Sequence, residues 1–258
     1  MRIGVFDSGI GGVTVLNQGL EQAPSAQFFY FGDTANVPYG NKSKAQVRQL
    51  VISACDRIKP YRLDALVIAC NTAICFAQSE FENTLPDTSL VSVVDAGIQT
   101  CIRALSENQA LPLLIFGTRA TIKSHLHATL LRQKNLKLQI FEQECPLLVP
   151  LIEEGFIEHP ILQATIEIYT KPFLLMPPGI ALLACTHYPW IKKAFQIALP
   201  KWKFVDPSQA IADILCNRFP EISNPPQNTA PCVEWYFSDP EVVSKTLLTP
   251  PPKGWSKF

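Results

Sequence analysis

The stretch Val67-Ile68-Ala69-Cys70-Asn71-Thr72-Ala73 decides how the rest of the chain is interpreted. Its uncharged, apolar first half is typical of a short strand buried on both faces of a parallel sheet. In open α/β sheets, ligands bind beyond the carboxyl ends of the strands, where this strand reaches Cys70. The pattern returns in Ala181-Leu182-Leu183-Ala184-Cys185-Thr186-His187. One free cysteine is ordinarily a small buried hydrophobe, but two thiols in matching positions indicate shared chemistry.

The composition is that of a folded protein without a strongly basic or strongly acidic surface. Of the 258 residues 47% are hydrophobic, which excludes a disordered chain and suffices for one large domain or two ordinary ones. Basic and acidic residues number 22 each, with no basic block, so we expect no nucleic-acid partner. The sequence has neither a signal peptide nor a run of 18 apolar residues, which predicts a cytoplasmic protein with no membrane partner.

The eight cysteines are expected to be reduced in that compartment. None forms a CxxC pair, and Cys70-x4-Cys75 has no second ligand pair, so we expect no metal site. Six cysteines are interpreted as packing residues: Cys55, Cys75, Cys101, Cys145, Cys216 and Cys232. His125 and His127 are interpreted as ordinary residues of a helix surface or cleft.

Strands alternate with helices along most of the chain. Strands are expected at 3–6, 27–31, 65–69, 90–94, 111–116, 136–141, before Cys185, at 203–205 and at 233–237. Helices are expected at 13–20, 44–60, from Cys70 to 81, 98–105, around His125 and His127, and at 147–154, 160–168 and 210–218. Asp7-Ser8-Gly9-Ile10-Gly11-Gly12 is a glycine-rich turn that matches neither the dinucleotide fingerprint nor a P-loop. Residues 223–231 and 249–253 are expected to form proline-rich loops.

The order of these landmarks predicts an internal repeat. Three pairs share nearly one offset: Phe6-Asp7-Ser8 with Phe116-Gly117-Thr118 (110), Ala69-Cys70 with Ala184-Cys185 (115), and Val94-Asp95 with Val205-Asp206 (111). The sequence therefore predicts an α/β fold of two pseudo-symmetric domains, with mainly parallel sheets flanked by helices and the active site in the cleft between them. The first domain would cover 1–96, completed by 208–258, and the second 97–207.

A thiol on each wall of a cleft suits proton transfer at opposite faces of one carbon. One cysteine would act as thiolate base while the other acts as thiol acid. A free cysteine has a pKa of about 8.5, so neighbouring groups must help to form the thiolate. Asp7 is a candidate proton relay beside Cys70, and Glu153 is expected to orient His187 as an acid near Cys185.

Five motifs strengthen this interpretation: Phe6-Asp7-Ser8-Gly9-Ile10-Gly11-Gly12, Phe31-Gly32-Asp33-Thr34, Val37-Pro38-Tyr39-Gly40, Ala69-Cys70-Asn71-Thr72-Ala73 and Cys185-Thr186-His187-Tyr188-Pro189. In content and order they resemble the glutamate racemase family of the aspartate/glutamate racemase superfamily. The resemblance runs from about residue 3 to 211 and touches 237–240 weakly. It implies a cofactor-independent enzyme that interconverts L- and D-glutamate and supplies D-glutamate for bacterial peptidoglycan. A homodimer is expected because the family often dimerises.

The resemblance also implies roles for individual residues. Cys70 and Cys185 would be the two bases, assisted by Asp7, Glu153 and His187. Side chains and backbone N–H groups that would hold the substrate belong to Asp7, Ser8, Tyr39, Gly40, Asn71, Thr72, Thr118, Thr121, Thr186 and His187.

The chain departs from the family pattern at three places. Asn36 replaces an arginine in the loop before Pro38, Arg119 replaces a small residue, and Ile74-Cys75 replace two small residues. Three alternatives stay open: a racemase for aspartate, a decarboxylase that uses one cysteine, and a racemase-fold protein that binds and inhibits a DNA-processing enzyme. Neutral net charge gives the binding alternative no support.

Overall fold

Two parallel β-sheets, each flanked by helices, form the fold. The computed structural model describes residues 1–105, 111–134, 137–223, 232–239, 241 and 256–257. The strands are β1 (Arg2–Asp7), β2 (Gln27–Gly32), β3 (Ala65–Ile68), β4 (Ser89–Ser92), β5 (Leu113–Gly117), β6 (Ile140–Glu144), β7 (Ile180–Ala184), β8 (Lys203–Val205), β9 (Cys232–Phe237) and β10 (Ser256–Lys257). The helices are α1 (Val13–Gln22), α2 (Lys44–Ile58), α3 (Asn71–Thr84), α4 (Val93–Leu105), α5 (Arg119–Ser124), α6 (Leu126–Gln133), α7 (Leu148–Glu153), α8 (Pro160–Thr170), α9 (Lys192–Ala198) and α10 (Ser208–Arg218).

The two sheets repeat one topology. The first has the order β10-β9-β2-β1-β3-β4 and the second β6-β5-β7-β8, with every described pair of strands parallel. The four strands of the second sheet thus match β2-β1-β3-β4 of the first. Parallel strands bury both faces under helices, and every side chain of β3 and β7 is buried. The predicted fold class, with two pseudo-symmetric halves, is confirmed.

Strand register places the two cysteines at equivalent positions. Phe6 pairs with Ile68 in the first sheet, and Phe116 pairs with Leu183 in the second. Each cysteine therefore lies two residues beyond a matching point on an interior strand. The carboxyl end of a parallel strand is where binding residues collect, so the topology creates two matching positions for a thiol.

The third landmark pair of the predicted repeat is wrong by three residues. The predicted strand 90–94 ends early, at Ser92, and Val93 already begins α4, five residues before the predicted helix start at 98. The Ser92 hydroxyl explains the early start, because it accepts hydrogen bonds from the N–H groups of Val94 (3.1 Å) and Asp95 (3.3 Å). Val67 pairs with Val91 and Leu182 with Val205, so Val91 is the counterpart of Val205.

Two further elements differ from the prediction. Of the strand expected at 136–141, residue 136 lies outside the described residues, and within the described part the strand begins only at Ile140 and continues to Glu144. The single helix expected around His125 and His127 is two helices, because His125 has φ 53° and this left-handed conformation ends α5. Of the predicted proline-rich loops, 224–231 and 249–253 lie outside the described residues.

The chain returns to the first sheet near its end. The predicted strand 233–237 is confirmed as part of β9, which pairs with β2. The first core contains Val93, Val94 and Ala96 of α4 and also residues of α10, whereas Ile98 and Cys101 belong to a second-half core. The predicted domain division at 96/97 and 207/208 stays a prediction, which this partition of apolar contacts supports. Among the described residues, no helix is long and apolar enough to cross a membrane.

Candidate active site

A small cavity between the two sheets contains both strand-end cysteines. Residues from the carboxyl ends of β1, β3, β5 and β7 and from the loop after β2 surround it. The lining residues are Ser8, Pro38, Tyr39, Gly40, Cys70, Asn71, Thr72, Thr118, Val149, Ala184, Cys185, Thr186 and His187. Three of the sequence-predicted residues, Asp7, Thr121 and Glu153, do not line the cavity, but each contacts a residue that does. Sequence reasoning missed Pro38, Val149 and Ala184, whose apolar character gave no chemical signal.

On the first wall, Cys70 lies between Ser8 and the N-terminus of α3. Its side chain is 5% exposed, and its thiol donates a hydrogen bond to Ser8 Oγ at 3.4 Å. Burial, and then the charge of Asp7, raises the pKa of Cys70 to about 12. The thiol form of Cys70 therefore predominates at neutral pH, so in this conformation it is suited to donate a proton.

On the second wall, Cys185 forms a chain of contacts with a histidine and a carboxylate. Its sulfur lies 3.9 Å from Nδ1 of His187, whose Nε2 lies 2.5 Å from Oε1 of Glu153. Burial lowers the pKa of His187, but hydrogen bonds with Cys185 and Glu153 outweigh it and raise that pKa well above its usual value. A protonated imidazole beside Cys185 would stabilise a thiolate there.

Asp7 links the two walls from behind the cavity. The carboxylate is fully buried, and it accepts hydrogen bonds from the Gly9 N–H (3.0 Å) and from Thr186 Oγ1 (3.1 Å) in the opposite half. Burial raises the pKa of Asp7, while the charge of His187 and both hydrogen bonds oppose that rise. Asp7 thus lies near both sides of the cleft, whereas the sequence associated it with Cys70 alone.

Three threonine hydroxyls also join the halves. Thr72 Oγ1 lies 2.9 Å from Thr118 Oγ1 and 3.2 Å from Thr121 Oγ1, and Thr118 donates to Thr121 at 3.0 Å. Thr118 additionally caps α5 by accepting the Thr121 N–H. A side chain on Gly40 would overlap the side chain of Thr118, so glycine permits the close approach of the loop after β2.

The loop after β2 is anchored by a carboxylate to which the sequence gave no role. Asp33 is 5% exposed and accepts a hydrogen bond from the Tyr39 hydroxyl at 2.5 Å. The Asn36 amide donates to both Asp33 oxygens, at 3.0 and 3.2 Å. Asn36 therefore still anchors the loop where the family pattern has an arginine, but with a neutral donor. The only signal for Asp33 was its place in the Gly32-Asp33-Thr34 motif.

The remaining candidates lie outside the cavity. Arg119 is half-exposed and pairs with Glu144 at 3.4 Å. His125 is on the surface, as expected, and lies 2.7 Å from Glu142. His127, in contrast, is only 2% exposed and lies 3.2 Å from Asn71, so it is not a surface residue. Within the described part of the chain, no group of three or more His, Cys, Asp or Glu residues is placed to hold a metal ion.

Comparison of the sequence and the structure with known proteins identifies the relatives of this chain. No protein-family model matches the chain. A glutamate racemase from Sulfurihydrogenibium sp. (strain YO3AOP1) is 38% identical over 218 residues, which cover 84% of this chain and 82% of that protein. The structure of glutamate racemase from Francisella tularensis in complex with D-glutamate superimposes with a TM-score of 0.87 at 27% identity, covering 99% of this chain and 95% of that one. For glutamate racemase from Campylobacter jejuni the TM-score is 0.85 at 32% identity, and 96% of each chain is covered.

These similarities extend over both halves and therefore include both cysteine positions. An identity of 38% over most of each chain is far above the level at which only the fold is shared. The chain therefore belongs to the glutamate racemase family and is an isomerase that racemises glutamate.

Proposed function

We propose that this isomerase interconverts L- and D-glutamate without a cofactor, using Cys70 and Cys185 as two bases on opposite faces of the substrate. The observation that supports this most directly is that the two thiols, from equivalent strand ends of different sheets, line one cavity. A single base returns a proton to the face from which it came. Two bases on facing walls allow the configuration at Cα to invert.

The proposed reaction transfers one proton in and one proton out. Cys185, as thiolate, removes the Cα proton of one enantiomer, and the electron pair of that C–H bond delocalises into the neighbouring carboxylate. Cys70, as thiol, then gives its proton to the opposite face of Cα and becomes a thiolate. The other enantiomer reacts by the same steps with the two cysteines exchanged. The raised pKa of Cys70 and the contact of Cys185 with His187 support this starting state.

Donors around the cavity are suited to the charge that develops on the substrate. The hydroxyls of Thr72 and Thr118 and the amide of Asn71 line it, and α3, whose amino end carries a partial positive charge, begins at Asn71. We assign Asp7, Glu153 and His187 to assist the two cysteines. Substrate contacts are assigned to Asp7, Ser8, Tyr39, Gly40, Asn71, Thr72, Thr118, Thr121, Thr186 and His187.

We propose glutamate and not aspartate as the substrate. The D-glutamate formed is proposed to be used in peptidoglycan synthesis. The racemase of Francisella tularensis was solved with D-glutamate, and its similarity to this chain supports a substrate of that size. The peptidoglycan role and a homodimer rest on the resemblance to the family. A panel of amino-acid enantiomers tests the substrate, and a clear preference for aspartate would contradict the proposal.

The mechanism is tested by incubating the purified enzyme with L-glutamate in deuterated water. Circular dichroism follows the loss of optical activity, and mass spectrometry follows deuterium at Cα. Loss of the signal together with Cα labelling, with no cofactor added, is the expected result. Exchange without loss of optical activity would mean that only one thiol acts. If neither loss of optical activity nor deuterium at Cα were observed, the proposal would be contradicted, and another substrate or a binding role would be favoured.

A further inference from the structure

A buried histidine from the second half reaches the residue that follows Cys70 in the first half. His127 is the second residue of α6, is 2% exposed, and places Nε2 at 3.2 Å from Oδ1 of Asn71. Asn71 is 4% exposed, begins α3 and lines the cavity. No step of the proposed mechanism uses His127. The inference drawn from this contact rests on the proposed function and deepens it.

The charge state of His127 determines how it bonds to Asn71. Burial lowers the pKa of His127 to about 4, so the imidazole is neutral at the pH of catalysis. A neutral imidazole has one N–H donor and one acceptor nitrogen. Because an amide oxygen only accepts hydrogen bonds, the partner nitrogen Nε2 must be the one that holds the proton.

The hydrogen bond from His127 uses only the oxygen of the Asn71 amide and leaves its nitrogen, Nδ2, available for a different partner. Nδ2 of Asn71 is buried and has no hydrogen-bond partner within the described residues. A buried N–H group without a partner is costly, which is why such groups are rare and call for an explanation. Since Asn71 lines the cavity between the two cysteines, a substrate oxygen would satisfy this donor.

We propose that His127 is a positioning residue for racemisation: by donating from Nε2 to Asn71 Oδ1, it fixes the amide so that Nδ2 is presented to a carboxylate oxygen of glutamate. Without this bond the amide is free to turn its oxygen towards the substrate, where it would repel a carboxylate. His127 acts through Asn71 and does not touch the substrate itself.

Three variants test the proposal through steady-state kinetics in both directions. His127→Phe keeps a planar ring but removes the donor, and we expect KM for glutamate to rise about tenfold, with kcat changed less than about twofold. His127→Gln offers an amide N–H near the place of Nε2 and is expected to restore most of the affinity. His125→Asn is the matched control, because His125 is exposed, lies two residues away and tolerates the left-handed backbone as Asn.

Two measurements separate positioning from a merely structural role. In a double-mutant cycle, adding His127→Phe to Asn71→Ala is expected to raise KM no further, because the amide to be positioned is already gone. Nitrogen-15 NMR of the unaltered enzyme is expected to show His127 as the neutral tautomer protonated at Nε2. This second measurement stands even if the phenylalanine variant fails to fold.

The proposal is overturned if His127→Phe is folded and leaves KM unchanged, if its effect adds fully to that of Asn71→Ala, or if His127 is protonated at Nδ1. These outcomes differ from a failure of the two-cysteine mechanism. In that case the unaltered enzyme would exchange deuterium into Cα without losing optical activity, or would show neither signal, whatever the His127 variants do.

Discussion

The two walls of the cleft share a backbone plan but differ in the side chains around each thiol. The registers make Asp7 the counterpart of Gly117, and Thr72 the counterpart of His187. Cys70 consequently has a buried carboxylate nearby, whereas Cys185 has an imidazole that is itself held by Glu153. Duplicated topology thus provides two thiols, and the positions that do not repeat give them different neighbouring groups. In the proposed mechanism, that difference allows Cys70 to start as the acid and Cys185 to start as the base.

The largest expected effect comes from removing either thiol. Cys70→Ala and Cys185→Ala should each lower racemisation by about 10³-fold or more, because one face of the substrate loses its only proton-transfer group. Each variant should still exchange deuterium into Cα of one enantiomer with retention, and the two variants should label opposite enantiomers. Mass spectrometry after chiral separation measures this.

Cys216→Ala serves as the control for those variants. Cys216 lies in α10 outside the cavity, so its replacement is expected to leave activity unchanged. If both cleft variants labelled the same enantiomer, the two walls would not serve opposite faces.

A smaller effect is expected from weakening the support of His187 on the second wall. Glu153→Gln should lower kcat/KM about tenfold to a hundredfold, because His187 loses the negative charge that favours its protonated form. The loss must be equal in both directions, since the two enantiomers have equal free energy. Glu154→Gln, at the neighbouring exposed position, should have no effect. Equal losses in both variants would contradict a specific role for the Glu153–His187 pair.

The different surroundings of the two thiols should also appear in their chemical reactivity. The high pKa of Cys70, caused by burial and Asp7, predicts slow alkylation at neutral pH, whereas Cys185 has His187 as a partner. We expect iodoacetamide to modify Cys185 in Cys70→Ala at least about tenfold faster than it modifies Cys70 in Cys185→Ala. Peptide mapping over time gives both rates, and a faster Cys70 would reverse the assignment of acid and base.

The smallest expected effect is on the pH dependence of stability. Two buried histidines, His187 and His127, should change the free energy of unfolding with pH in opposite directions. The raised pKa of His187 stabilises the fold below the unfolded value of about 6.5, and this is lost as pH rises through the folded pKa. The pKa of His127, lowered to about 4, gives stability above about 6.5 that is lost as pH falls towards 4.

Denaturant unfolding measured from pH 4 to 9 tests these two opposite pH dependences of stability. Relative to the unaltered protein, His187→Asn should lose more stability at low pH than at high pH, and His127→Gln should do the reverse. Each histidine changes the unfolding constant by at most about tenfold per pH unit. Slopes of the same sign for both variants would contradict the assignment.

Much of the fold could be predicted from local sequence patterns. The uncharged runs before Cys70 and Cys185 indicated buried parallel strands, and both are interior β-strands of their sheets. The boundary of β4 could not be predicted in the same way. Val93 and Val94 favour a strand by propensity, but the Ser92 hydroxyl caps a helix there and outweighs that preference.

Part of the site required the assembled structure. The expected pairing of Glu153 with His187 is present as a contact, although the two residues lie 34 positions apart in the sequence. Sequence spacing gave no indication that Thr186 bonds to Asp7, or that His127 bonds to Asn71, since each contact joins elements from different halves. Asp33 was missed for a similar reason: its partners, Tyr39 and Asn36, are near in sequence, but only the folded loop turns them towards one buried carboxylate.

The sequence by itself determined the α/β alternation, the repeat of a strand followed by a thiol, and the five motifs of the glutamate racemase family, because these depend on residue order within a few turns of chain. Only the tertiary structure decided which groups surround each thiol. Burial and neighbouring charge control acidity, and both depend on contacts between residues far apart in the chain. The two cysteines therefore have matching places in the sequence pattern but different neighbouring groups in the folded protein.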